Sequence, residues 1–197
     1  MSNHWENLLF ALDHYVPWNE QEKADKEMIL SLIRQYQQDI LLRENLVAHM
    51  TASAWVISTD RSSILMAHHN LYNSWSWLGG HADGTSDLLA VSRREVEEES
   101  GAVAVPLEDG AIFSLESLCV DGHEKYGRYV PSHLHLNVTY LLEADKTMPL
   151  RIAASENSAV AWFSVLDAPH MSTEHWFASR IYSKLNGKLR ELGLIRF

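Results

Sequence analysis

The chain has 197 residues and a formal net charge of −10, with hydrophobic residues at 46% and charged residues at 21%. That length suits one well-buried core with an appendage rather than two ordinary domains, and the composition excludes a disordered or fibrous chain. The acidic balance excludes nucleic-acid polymers as main partners, because neutralising phosphates needs a basic face, but it leaves open phosphate binding through a cation.

Residues 4 to 15 carry Trp5, Leu8, Leu9 and Leu12 at helical spacing, and residues 20 to 41 carry Met28, Ile29, Leu32, Ile33, Tyr36 and Ile40 in the same way, so two helices open the chain. Pro17 breaks the first, and Asn19 followed by Glu22 resembles a capping box that starts the second. These helices form an N-terminal extension over residues 1–45, ahead of a domain at 46–197. Three roles stay open for them: a homodimer interface, a cover over a cleft, or enlargement of the core.

From Thr51 the texture turns β-branched and aromatic. Ala52 to Ile57 and Ser63 to Met66 flank the turn signal Thr59-Asp60-Arg61-Ser62, which predicts a hairpin. An aromatic loop with Tyr72, Trp75 and Trp77 follows. Gly79, Gly80 and Gly84 then mark tight backbone, and Thr85, Ser86 or Asp87 is placed to cap a helix that Gly101 closes.

Two further strands fall at about Ala111 to Val120 and His133 to Leu142, separated by the polar loop Asp121 to Pro131. In the second, His133, His135, Asn137 and Thr139 share one face. Cys119 cannot form an internal disulfide, and its apolar run reads as a buried strand, which fits a reduced, cytoplasmic setting. A last strand at about Ala159 to Ser164 leads to a helix from about Thr173 to Leu192. Its apolar stripe is Phe177, Ile181, Leu185 and Leu189, and it contains Gly187.

The N-terminus lacks the basic start and apolar core of a signal peptide, and no stretch approaches 18 apolar residues, so no membrane partner is expected. Hairpins mixed with helical crossovers predict an α/β or α+β fold with a mixed sheet covered by helices on both faces.

The chemistry concentrates in Arg94-Glu95-Val96-Glu97-Glu98-Glu99. At about 100° per residue, Glu95, Glu98 and Glu99 fall within an arc of about 100°. Like charges at about 4 Å cost roughly 1 kcal/mol in bulk water and about 4 kcal/mol in a partly buried site, a penalty that a divalent cation reverses. The plainer reading is a solvated helix face. The paired glycines upstream, Arg94 beside the first glutamate and the closing glycine favour the metal.

This segment resembles the Nudix hydrolase signature: Gly, five residues, Glu, seven residues, Arg-Glu, an aliphatic, any, Glu-Glu, any, Gly, an aliphatic. Seven of its nine positions match, namely Gly80, Arg94, Glu95, Val96, Glu98, Glu99 and Gly101. Ser86 stands where the family has glutamate, with Asp83 or Asp87 nearby as substitutes, and Ala102 stands where a larger aliphatic is usual. Leu78 replaces the proline that often precedes the glycines. The resemblance covers approximately Val47 to Val165 and implies an α/β/α sandwich with a mixed sheet between helices.

It also implies a hydrolase that cleaves a diphosphate linkage in a nucleoside diphosphate-linked or related small molecule. Magnesium, with manganese as a substitute, would be bound by Glu95, Glu98, Glu99 and the backbone carbonyl of Gly79. Arg94 would orient a carboxylate, and Glu95 or Glu98 would act as base. The family often adds an acid about six residues before an aromatic. Glu156, six residues before Trp162, is that candidate, and Glu124 its competitor.

Lys125 and Arg128 are candidates for phosphate contact, and His133 and His135 for lining the substrate cleft. Among eleven histidines there is no His-Glu-x-x-His spacing, so zinc is the lesser reading. The tryptophans at 75 and 77 suit core packing or base stacking. Two other functions stay open: a ligand sensor on the same fold, which Ser86 invites, and a prenyl diphosphate isomerase, which the position of Cys119 after the acidic helix disfavours.

Overall fold

The computed structural model describes residues 4–125 and 127–196. In chain order it contains α1 (His4–His14), α2 (Glu20–Tyr36), a 3₁₀ turn (Gln37–Leu41), β1 (Ala48–Ser58), β2 (Ser63–His69), β3 (Ser74–Ser76), β4 (Leu78–His81) and α3 (Leu88–Ser100). Then come β5 (Val105–Pro106), β6 (Ile112–Val120), β7 (His123–Lys125), β8 (Arg128–Val130), β9 (His133–Ala144), β10 (Asn157–Ser164), α4 (Ala168–Met171) and α5 (Ser183–Glu191). The class is α+β with a mixed sheet. Among the described residues no helix is long and apolar enough to cross a membrane.

The chain divides into two compact units, with β1, α3 and β9 contributing to both. Residues 4–52, 80–91 and 112–139 form the first. Here α1 and α2 bury Leu8, Leu12, Ile29 and Ile33, and Ile40 and Leu41 of the 3₁₀ turn are fully buried, so the N-terminal helices enlarge this unit's core. The second helix stops at Gln37, whose φ of 51° lies in the left-handed region, and the chain tightens into the 3₁₀ turn instead of running on to residue 41.

Asn19 caps α2 as expected by accepting the Glu22 N–H at 2.9 Å. Glu22 does not close the capping box on Asn19. Its buried carboxylate accepts the Trp18 N–H at 2.8 Å and the Tyr15 hydroxyl at 2.6 Å, and Ser114 Oγ of β6 at 2.8 Å. Burial, with Glu22 beside it, raises the Tyr15 pKa, so the phenol keeps its proton and donates. On β6 the buried Glu116 extends the polar network, accepting from Asn137 Nδ2 at 3.0 Å and Thr139 Oγ1 at 2.8 Å. Sequence reading placed Asn137 and Thr139 on one face of their strand, and the Asn137–Thr139 hydrogen bond at 3.0 Å reflects that. These directional hydrogen bonds fix the docking of α2 on β6 more sharply than apolar contact alone.

Two expectations need correcting in this unit. Cys119 is exposed, because strand alternation turns it outward between the buried Leu118 and Val120. The segment from Asp121 to Pro131 is not a plain loop: β7 and β8 pair antiparallel in it, with His123 opposite Val130 and Lys125 opposite Arg128. Gly127, at φ 73°, lets so short a reversal close.

The second unit comprises residues 53–79, 92–111 and 140–196, and its strand order is β10-β2-β1-β9-β5. The predicted hairpin is present, with Val56 opposite Leu65 and Ile57 opposite Ile64. Ser58 Oγ and Ser62 Oγ both donate to Asp60 Oδ1 across its turn, at 2.6 and 2.7 Å. Part of the aromatic loop is itself a strand, β3, antiparallel to β2.

The closing helix begins with π-type turns at Phe177–Tyr182 before α5. Ile181 of the π turns and Leu185 and Leu189 of α5 are all fully buried. Trp55 stacks on Tyr182 with ring centroids 5.3 Å apart and donates its indole N–H to Asn186 at 3.2 Å. Gly187 is accommodated within α5.

Candidate active site

Asp87, one of three predicted caps, accepts the Ala90 N–H at 3.0 Å and starts α3. At the other end Gly101 takes φ 73° and returns its N–H to the Glu97 carbonyl at 2.9 Å. A side chain there would also collide with Arg151, whose Cγ would stand 2.7 Å from an added Cβ. Gly101→Ala is therefore expected to cost at least about 1–2 kcal/mol, the usual penalty of left-handed backbone for a residue with a Cβ, measurable as a lowered urea midpoint.

Between these caps one stripe of α3 is apolar and inward, with Leu88, Val91 and Val96 buried. Glu99 lies on that buried side at 7% exposure, whereas the Glu98 side chain is 60% exposed and that of Glu95 is 13%. Glu99 Oε2 accepts the Gly79 N–H at 3.3 Å, which ties the first glycine of β4 to the acidic end of α3. Arg94 donates to Glu95 Oε1 at 2.8 Å, and its Nε lies 3.7 Å from Glu98 Oε1. One guanidinium thus spans two of the three carboxylates.

Burial, reinforced by the charges of Glu95 and Glu156, lifts the Glu99 carboxyl well above the usual range. Glu95 is lifted mainly by burial, with Arg94 pulling the other way and Glu98 and Glu156 pushing upward. The exposed Glu156 is therefore the loop carboxylate whose field reaches α3. The link is covalently distant and structurally short: Asn157 Nδ2 donates to the Glu99 carbonyl at 2.9 Å, while its Oδ1 accepts the Ala153 N–H at 3.1 Å. Asn157 is buried and was missed from the sequence, where an asparagine beside a glutamate carries no distinguishing signal.

The competitor Glu124 sits on β7 as an exposed side chain of the first unit. Asp83 pairs with Arg43, the Arg43 Nε donating at 2.6 Å, and Asp87 serves as the helix cap, so each of the two residues near Ser86 already has other work.

The remaining predicted residues belong to the first unit. Arg128 is exposed on β8; Lys125 faces it in register on β7, and its side chain lies outside the described residues. His133 and His135 are neighbours on β9, their Nε2 atoms 3.2 Å apart, and they gather with His49 and His81. Among the described residues, His49, His81 and His135 are the group whose ligand atoms all come within 4.8 Å of one another. Burial holds the His135 imidazole down at about pKa 2 and the His49 imidazole below its ordinary value. His49 had been overlooked, since a lone histidine before a β-branched run has no motif around it.

In the second unit Trp75 packs edge-on against Phe163 at 4.7 Å and Trp77 against Tyr182 at 5.6 Å, the packing role of the two alternatives. A surface cavity lined by Arg61, Ser62, Val165 and Ile195 contains none of the α3 carboxylates.

Comparison with known proteins places the sequence against the NUDIX domain over residues 47–185. Among solved structures, a hydrolase of the NUDIX family from Nitrosomonas europaea superposes with a TM-score of 0.52 at 15% identity, over 75% of this chain and 95% of that one. An Ap4A hydrolase from C. elegans, crystallised as a binary complex, gives a TM-score of 0.50 at 17% identity, over 73% and 96%. The MutT protein from Methanosarcina mazei Go1 gives 0.50 at 16%, over 71% and 93%. At these identities the likeness is one of fold. Among curated proteins none matches the sequence.

Proposed function

The chain belongs to the Nudix family, as a hydrolase acting on pyrophosphate bonds, and from that premise we propose that it cleaves the diphosphate of a nucleoside diphosphate-linked small molecule with magnesium as cofactor. The domain at 46–197 would carry the chemistry, with residues 1–45 as its helical extension. One observation carries the reading: Glu99 keeps a buried carboxylate beside Glu95 and within the field of Glu156, an arrangement that is unfavourable until a cation joins it.

The donor set fits a hard cation. Glu95, Glu98, Glu99, Glu156 and the Gly79 carbonyl offer only oxygen, and magnesium keeps several waters, so the carboxylates need not all converge on one point. When bound there, magnesium polarises phosphoryl oxygens and makes a bound water more acidic; manganese substitutes in the same donor set.

The protein's part is to move a proton and fix geometry. Glu95, its carboxyl raised by burial and oriented by Arg94, takes the proton from the attacking water, with Glu98 as the exposed alternative. The water oxygen bonds to one phosphorus as the bridging oxygen departs with the other phosphate, so two phosphate-bearing products result. Arg128, Lys125, His133 and His135 are proposed substrate contacts.

Incubation with magnesium and a panel of nucleotide sugars, dinucleoside polyphosphates and nucleoside triphosphates tests this, with two phosphate-bearing products expected from at least one compound. Binding without turnover across the panel would replace hydrolysis with the sensor reading that Ser86 invites.

A further inference from the structure

We propose that His49, His81 and His135 form a binding site for a divalent transition metal of the zinc class, in addition to the carboxylate cluster. Three strands supply the rings: His49 lies on β1, His81 ends β4, which pairs with β1, and His135 lies on β9, which also pairs with β1. Backbone bonds fix this alignment locally, with the Ala82 N–H donating to the Met50 carbonyl and the Leu134 N–H to the Val47 carbonyl, both at 3.0 Å.

The ring centroids stand 5.1 Å apart for His49 and His81, 4.9 Å for His49 and His135, and 4.9 Å for His81 and His135. Their ligand atoms lie within 4.8 Å of one another, against about 3.4 Å along the edge of a tetrahedral zinc–nitrogen site, a gap that small ring rotations close.

The tautomers point the same way. His49 Nδ1 lies 3.1 Å from the Asn45 carbonyl, and His133 Nδ1 lies 2.8 Å from the Pro131 carbonyl. A carbonyl only accepts, so each Nδ1 carries the hydrogen, and the neutral His49 ring is left with a bare Nε2 lone pair. This is the second-sphere arrangement that orients metal-binding imidazoles. His49 is 3% exposed, and its Nε2 is buried with no hydrogen-bond partner among the described residues. His133 Nε2 accepts from Nε2–H of the neutral His135 at 3.2 Å, which orients the His135 ring and leaves its Nδ1 as the lone pair for a metal. Clustered imidazoles select zinc, copper, nickel or cobalt over magnesium.

The test uses the full chain, tag-free and stripped with chelator, in a zinc competition against a chromophoric chelator and in a cobalt(II) titration. One zinc per chain is expected, together with cobalt absorption bands of nitrogen-ligated four- or five-coordinate type. His49→Gln and His135→Gln should each weaken zinc by at least about 100-fold, beyond the usual cost of disturbing an outer-sphere partner, while Glu98→Gln leaves it unchanged. No zinc retained by the wild-type chain, undiminished zinc in both histidine variants, or zinc lost through Glu98→Gln alone would each overturn the proposal. If the His49 and His135 variants fail to fold by circular dichroism, the half-exposed His81→Gln and the wild-type cobalt spectrum decide it, and wild-type levels of zinc in folded His81→Gln would equally overturn it.

Discussion

Glu98→Gln is expected to lower kcat by about 10²–10⁴-fold with the fold intact, the range associated with losing a general base or an essential carboxylate. The Glu98 side chain is 60% exposed, so exchanging its charge for an amide disturbs no packing, and the melting temperature should stay within a degree or two of wild type. Glu99→Gln separates the two consequences of burying a charge. Its carboxyl is buried, pressed by Glu95 and Glu156 and held by the Gly79 N–H, which an amide oxygen can still use. That variant should therefore lose activity and gain melting temperature in metal-free buffer, the trade between stability and function seen where acids are held together for catalysis. Turnover of both variants at wild-type rates with magnesium would show that α3 does not hold the catalytic metal.

Ile33→Ala should remove about 2–5 kcal/mol from folding stability, the usual range for deleting a fully buried aliphatic side chain. Ile33 lies in the last turn of α2, a helix that packs against β6, in the unit whose strands also carry the histidine cluster. Equilibrium urea unfolding measures the loss. A change below about 0.5 kcal/mol would mean that the N-terminal helices are an ornament on the fold instead of part of its core. The Glu22 network makes the same point in polar terms: the buried carboxylate accepts from Tyr15, Trp18 and Ser114, so unfastening the helix would leave a charge without its donors.

The acidic helix was legible because its message is local. Spacing on one helix decides which carboxylates share a side, the cap is narrowed to Thr85, Ser86 or Asp87, of which the structure uses Asp87, and a positive-φ terminus can be read from Gly101. The hairpin of β1 and β2 was legible for the same reason, since turn chemistry and alternation act over a few residues. Cys119 shows the limit of that reading. An apolar run marks a strand, but alternation within the strand puts this side chain in solvent. The β7–β8 hairpin was hidden because polar residues in a short ribbon resemble a loop.

Unaided, the sequence determined the class, the helix that gathers three carboxylates, the family resemblance and the pair of histidines alternating on β9. Spacing along one helix or one strand needs no knowledge of neighbours. Tertiary structure alone decided that Asn157 carries the loop of Glu156 to the end of α3, that Glu22 fastens α2 to β6, and that His49 and His81 join His135. Those contacts join residues 58 and 92 positions apart or arise where three strands lie side by side, and strand pairing across such separations leaves no periodic trace in the chain.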